Sequence, residues 1–207
     1  MFSAKTYIAR RKMLRTKIGQ GIILLPGNAP APNNYPNNAY YFRQDSSFLY
    51  YFGLNIPSLV GLIDADSGEE ALYGDDFTVE DIIWTGPQPT LRELGAQVGV
   101  TETFPTAALE ARLRKAIAQG RKIHYLPPYR GETKLQLSEL LGIKPALLHD
   151  YKSVDLMFAV AEMREKKSAE EIEEMERAFR IGYEMHTLAM KPVSYTHLRA
   201  HETLRHL

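Results

Sequence analysis

Three of the six histidines crowd into the last fourteen residues, SYTHLRAHETLRHL, where His197 and His201 stand four apart. On a helix they would share one face, with Glu202 beside them, and could grip one metal ion. Whether they do so bears on whether the protein is an enzyme. The other candidates read more plainly. His124 lies inside an apolar strand pattern and His186 on an apolar helical stripe, so each is expected to pack rather than to ligate. The carboxylate pairs Asp64/Asp66, Asp75/Asp76 and Glu80/Asp81 stand at turns or helix starts, where carboxylates accept backbone hydrogen bonds. No GxGxxG follows a strand, and GxxxxGK[ST], GxSxG and HExxH are absent; HLRAHE carries its glutamate after the second histidine. With no cysteine, disulfides and thiolate chemistry are excluded. Taken alone, these residues give an α/β domain with no resolvable active site, and they offer only the proline- and aromatic-rich region 28–57 as a binding surface.

The elements that must position these groups follow from periodicity and caps. Ser3 caps a helix from Ala4 to about Ile18, with Tyr7, Leu14 and Ile18 on one side, and the Gly19–Gly21 stretch ends it. GIILLPG is a buried strand, and residues 28–40, with Pro30, Pro32 and Pro36, are loop. The stretch FRQDSSFLYYFGLNIP, Phe42 to Pro57, reads as an aromatic strand, and SLVGLIDADSGEEALYGDD as a hairpin around Asp-Ser-Gly. Then come helices at VEDIIW, TLRELGAQVG and LEARLRKAIAQG, the strand KIHYLPPY and a helix at LQLSELLG. Strands alternating with such helices predict an α/β fold with a covered sheet. Ser168 and Glu171 make a capping box for a helix running to about Met190, striped by Ile172, Met175, Phe179, Gly182, His186 and Ala189.

Composition bounds the rest. At 207 residues the chain holds one domain and something smaller. With 44% hydrophobic and 24% charged residues it has a soluble globular profile, and 25 basic against 25 acidic residues argue against nucleic-acid binding. No apolar run approaches the roughly 18 residues that would span a bilayer. Six basic residues from Lys5 to Lys17 precede the first acid, Asp45, and read as the solvated face of the first helix rather than a transit peptide. A cytoplasmic location is expected.

Three stretches, GIILLPGN, FRQDSSFLYYFGLNIP with its FRQxSxFxY core, and MREKKSAEEIEEMERA, together with IIWTG at 82–86, are similar to the N-terminal half of Xaa-Pro aminopeptidases (aminopeptidase P) of the creatinase and prolidase superfamily. The resemblance covers about residues 1–192. It implies an α/β fold, a mixed sheet flanked by helices with a ribonuclease H-like motif, over residues 1–155, then a linker and the first helix of a truncated pita-bread catalytic domain over 156–192. Residues 193–207 resemble translated sequencing-adaptor read-through and are read as a non-native tail.

Such enzymes remove the first residue of peptides whose second residue is proline. They use two metal ions, usually manganese, which generate hydroxide at neutral pH and polarise the scissile carbonyl. The family's ligands, two aspartates, a histidine and two glutamates, belong to the pita-bread domain and match no position here. The resemblance therefore implies no catalytic or metal-binding residue in this chain, no bound manganese and no activity of the chain alone. Proline-containing peptides are the implied partners of the parent enzyme, a homo-oligomer is expected, and neither nucleic acid nor membrane is. In bacterial relatives the N-terminal domain of a neighbouring subunit lends an aromatic to the substrate pocket from the position that Leu49 occupies here. Either Tyr50 or Tyr51 substitutes, or the contact is absent, and Arg43 is a further candidate for pocket or interface. A non-catalytic interaction module of the same fold, or a prolidase or creatinase relative, are the alternatives.

Overall fold

The computed structural model describes residues 2–35 and 38–191. Two compact units divide the chain, the first ending at Arg164 and the second beginning at Glu165.

The first unit opens with α1 (Ala4–Ile18), whose Ser3 side chain accepts from the Thr6 N–H and whose Gly19 turns out of the helix at φ 80°. Next are β1 (Ile22–Pro26), α2 (Ser46–Phe52), β2 (Val60–Asp64) and β3 (Glu70–Tyr73). They are followed by α3 (Val79–Thr85), α4 (Leu91–Gln97), β4 (Glu102–Phe104), α5 (Ala107–Ala118), β5 (Ile123–His124), α6 (Gly131–Leu141) and α7 (Val154–Glu165). The sheet runs β4-β3-β2-β1-β5. β1 is antiparallel to β2, and β2 to β3, while β4 and β5 join the edges in parallel.

Both faces of this mixed sheet are covered, which explains the unbroken apolar run of β1. Ile23 and Leu25 pack with α1, α2, α4 and α7, whereas Ile22 and Leu24 face α5 and α6. The Asp-Ser-Gly hairpin forms as expected, with Asp64 Oδ1 accepting from the Asp66 and Ser67 amides. β4 and α7 have too short or too mixed a pattern to be read from the sequence. β5 keeps only two of the residues of KIHYLPPY, because Pro127 and Pro128 lack the amides that a longer ladder needs.

Several expectations are corrected. The aromatic stretch is no strand: Asp45 accepts from the Ser47 and Phe48 amides, Gly53 closes the segment at φ 68°, and the two caps enclose a helix despite the β-preference of its rings. The basic face of α1 is only partly solvated, since Arg10 and Arg11 are buried. The sequence reading ends the first domain at 155, yet Leu156, Ala159, Val160 and Met163 of α7 are buried in its core, and the first unit extends to Arg164.

The second unit contains α8 (Ala169–Met190), started by the Ser168–Glu171 capping box. No residue of α8 is buried. The stripe of Ile172, Met175 and Phe179, and His186 with it, is exposed rather than core-facing, because one helix cannot cover its own apolar side. His197, His201 and Glu202 lie outside the described residues.

Candidate functional site

The FRQDSSFLYYFG motif builds a corner between β1 and α2. Gln44, 2% exposed, works as a four-way brace: its Oε1 accepts from the Asn28 and Asp45 amides at 2.6 and 2.9 Å, and its Nε2 donates to the carbonyls of Ile56 at 2.7 Å and Leu54 at 3.4 Å. Asn28 donates from Nδ2 to the Arg43 carbonyl at 2.9 Å. Asp45 caps α2 with one oxygen and accepts from the Tyr129 hydroxyl with the other, at 3.2 Å. Motif residues that look like candidate chemistry are thus consumed in fixing the backbone.

This corner decides where the four candidate residues stand. Arg43 is exposed beside the brace. On a helix Phe48, Tyr51 and Phe52 fall on the inward side, whereas a strand would have put Leu49 and Tyr51 on one face. Tyr51 is fully buried, its hydroxyl 3.5 Å from Met163 Sδ. Burial pushes that hydroxyl's pKa well up and Tyr50 adds to the rise, against the opposing cations of Arg164 and Arg10. Leu49 and Tyr50 are half-buried at the rim. The Tyr50 ring lies edge-on to Tyr51 at 4.9 Å, holds the Arg10 guanidinium 4.0 Å above its centre, and its hydroxyl donates to the Met163 carbonyl at 3.0 Å. Arg43, Leu49 and Tyr50 therefore keep accessible surface along the α2 corner, and Tyr51 is buried.

Beneath α1, Arg11 ties this corner to the rest of the domain. Fully buried, it donates to Glu70 at 2.6 Å, to the Tyr51 carbonyl at 3.0 Å and to the Val98 carbonyl at 2.9 Å. Nothing in a basic helical segment marks one arginine as interior, and the sequence reading missed it.

A cavity of about 320 Å³, also missed, opens among Ile56, Leu59, Phe77, Leu91 and the carboxylates of Asp75, Asp76 and Asp81. Those acids are occupied. Asp75 accepts from the Thr106 amide at 3.0 Å, Asp76 from the Leu91 amide at 2.6 Å, and Asp81 closes a capping box with Thr78. Hydrogen bonds from Thr78 hold the Asp81 carboxyl below its usual range. On the hairpin, Asp64 receives both terminal nitrogens of Arg121, at 3.0 and 2.6 Å, and Asp66 pairs with the same guanidinium. Burial acts to raise the Asp64 pKa, but Arg121 and the turn amides outweigh it and hold it low. Asp64, Asp66, Asp75, Asp76 and Asp81 thus have the structural roles expected of the carboxylate pairs. Among the described residues no group of three or more histidines, aspartates or glutamates is placed to hold a metal ion, so they do not fit a two-metal hydrolytic centre. No described helix is long and apolar enough to cross a membrane.

Comparison with known proteins places this architecture. Residues 7–125 match the model of the aminopeptidase P N-terminal domain. A probable Xaa-Pro aminopeptidase of Arthroderma benhamiae is 29% identical over 181 residues, covering 86% of this chain and 34% of the relative; one of Botryotinia fuckeliana is 25% identical, covering 85% and 36%. The chain thus spans about a third of the length of these relatives. Among solved structures, Escherichia coli aminopeptidase P superposes with a TM-score of 0.76 at 22% identity, covering 93% of this chain and 46% of that one. Pseudomonas aeruginosa aminopeptidase PepP superposes with the same score and identity, covering 92% and 45%. Those likenesses are of fold, and the five-stranded mixed sheet with helices on both faces agrees with them. With more than half of its residues matched by the domain model, this chain belongs to the aminopeptidase P N-terminal domain family.

Proposed function

We propose that this chain forms the N-terminal domain, and the opening helix of the catalytic domain, of a metal-dependent Xaa-Pro aminopeptidase that removes the first residue of peptides with proline in second position. The match of residues 7–125 to the aminopeptidase P N-terminal domain carries this reading, and relatives named as probable Xaa-Pro aminopeptidases support the substrate class. The metal chemistry, assigned to a manganese pair, belongs to the catalytic domain. The domain's own contribution is to present the edge bearing Arg43, Leu49 and Tyr50 to the substrate pocket of a neighbouring subunit. Tyr51 supports that edge from the core, where it is buried. The parent enzyme is read as a cytoplasmic homo-oligomer that binds neither nucleic acid nor membrane.

The test compares the 207-residue chain with the product of its whole gene, each supplied with manganese and a peptide carrying proline in second position. The whole product is expected to release the first residue, and the chain alone to release none. Release by the chain alone overturns its inactivity. A whole product that cuts only dipeptides ending in proline makes it a prolidase relative. The exposed apolar side chains of Val79, Ile83 and Trp84 on α3 favour one second reading, a non-catalytic interaction module of the same fold. A natural stop shortly after codon 192, with no metal-ligand set encoded downstream, would establish the module instead.

A further inference from the structure

We propose that His124 and Ser153 form a proton-gated latch, which holds the first turn of α7 against β5 while the imidazole is neutral and loosens in mild acid. The arrangement of donors and acceptors carries the inference. His124 is 3% exposed, and its Nε2 lies 3.1 Å from the Gln20 carbonyl. A carbonyl only accepts, so Nε2 carries the hydrogen and Nδ1 is left as an acceptor. Ser153, 2% exposed, fills that role by donating its hydroxyl at 2.6 Å. The same oxygen accepts from the Leu156 amide at 3.3 Å, capping α7, and the Ser153 amide donates to the Tyr125 carbonyl at 3.1 Å. β5, the turn before β1 and the start of α7 are thereby joined by a chain in which every donor has an acceptor, provided that the imidazole is neutral.

A second proton breaks that pairing. With Nδ1 protonated, two hydrogens face each other across 2.6 Å, and the serine must turn its own away from the ring inside a buried site. The charges around it give little relief. Lys122, just before β5, and Asp155 on α7 pair with each other at 3.1 Å, and Asp66 at the Gly21 turn is paired with Arg121. Burial and the Lys122 cation both lower the affinity of the ring for a proton, against the Gln20 hydrogen bond and Asp155, which raise it. The released histidine takes a proton at about pH 6.5, as free histidine does, and the latched one does not. The released form is therefore favoured as pH falls below that value, by at most about tenfold between pH 7.5 and 5.5.

Hydrogen exchange on the whole 207-residue chain tests this. After correction for intrinsic rates, protection of the Leu156 and Met157 amides should fall by up to about tenfold from pH 7.5 to 5.5. His124→Gln, which cannot titrate, should make the α7 protection independent of pH over this range. Unchanged protection in the parent chain, or a pH dependence that survives in H124Q, overturns the latch. Should H124Q not fold, ring-nitrogen shifts of His124 in the parent chain decide. An Nε2–H tautomer that stays neutral while α7 is protected supports the latch, and protonation near pH 6.5 with α7 still protected refutes it.

Discussion

Replacing Arg11 with methionine removes the guanidinium but keeps most of the apolar stem in place, so what it measures is the polar junction under α1. Four groups lose a donor: the Glu70 carboxylate and the carbonyls of Tyr51, Val98 and, at a longer 3.3 Å, Gly99. Breaking a buried ion pair from one side costs about 3–5 kcal/mol, and each buried carbonyl left unpaired about 1–3. The Glu70 side chain keeps 16% of its surface exposed and recovers part of its share from water. The expected loss is about 4 kcal/mol, which for a unit of this size lowers Tm by about 8–16 °C. Urea unfolding followed by far-ultraviolet circular dichroism reads the change as a shift in midpoint at constant slope. Adding Glu70→Gln to the variant removes the stranded charge and should return about 1–2 kcal/mol. A single-variant loss under about 1 kcal/mol, or no recovery in the double variant, would refute the reasoning. The desolvation of the guanidinium would then balance the bonds it makes.

Three further outcomes are expected. Gly61→Ala should cost about 1–3 kcal/mol in the same urea assay, because a Cβ there would stand 2.0 Å from the Phe52 ring, and the α2–β2 contact must open. Asp64→Asn should lose about 1.5–3 kcal/mol near neutral pH, where the aspartate is charged and doubly bonded to Arg121. Its folded pKa is depressed, so its stabilisation is present above the ordinary aspartate value of about 3.9 and is lost as pH falls through the lower folded value. Acid unfolding of the asparagine variant should accordingly be less steep below about pH 4. In the whole enzyme, Arg43→Ala and Leu49→Ala should raise KM for Xaa-Pro peptides while stability changes by less than about 1 kcal/mol, as both side chains reach the surface. Unchanged kinetics in both variants would remove this edge from the substrate site.

Local signals in the sequence settled a good deal. Ser3 before α1, the box at Ser168 and Glu171, the hairpin at Asp64–Gly68 and the continuous apolar run of β1 each act over a few residues, through backbone hydrogen bonds and period, and each forms as the sequence indicates. The family was legible too, because its motif residues are the ones that build the α2 corner.

The tertiary structure decided what depends on distant partners. Asp45 and Gly53 turned an aromatic stretch of strand-like composition into a helix, and that change of period moved Tyr51 into the core and left Leu49 and Tyr50 at the rim. Arg11 became interior because acceptors from Tyr51, Glu70 and Val98, which lie 40, 59 and 87 residues from it along the chain, converge on it. His124 was expected to pack, and it does. That it also closes a hydrogen-bond chain between Gln20 and Ser153 follows only when three distant segments meet. Helical and strand periods are properties of neighbours along the chain, whereas burial of a charge is set by whichever residues fold against it, and those the sequence does not place side by side.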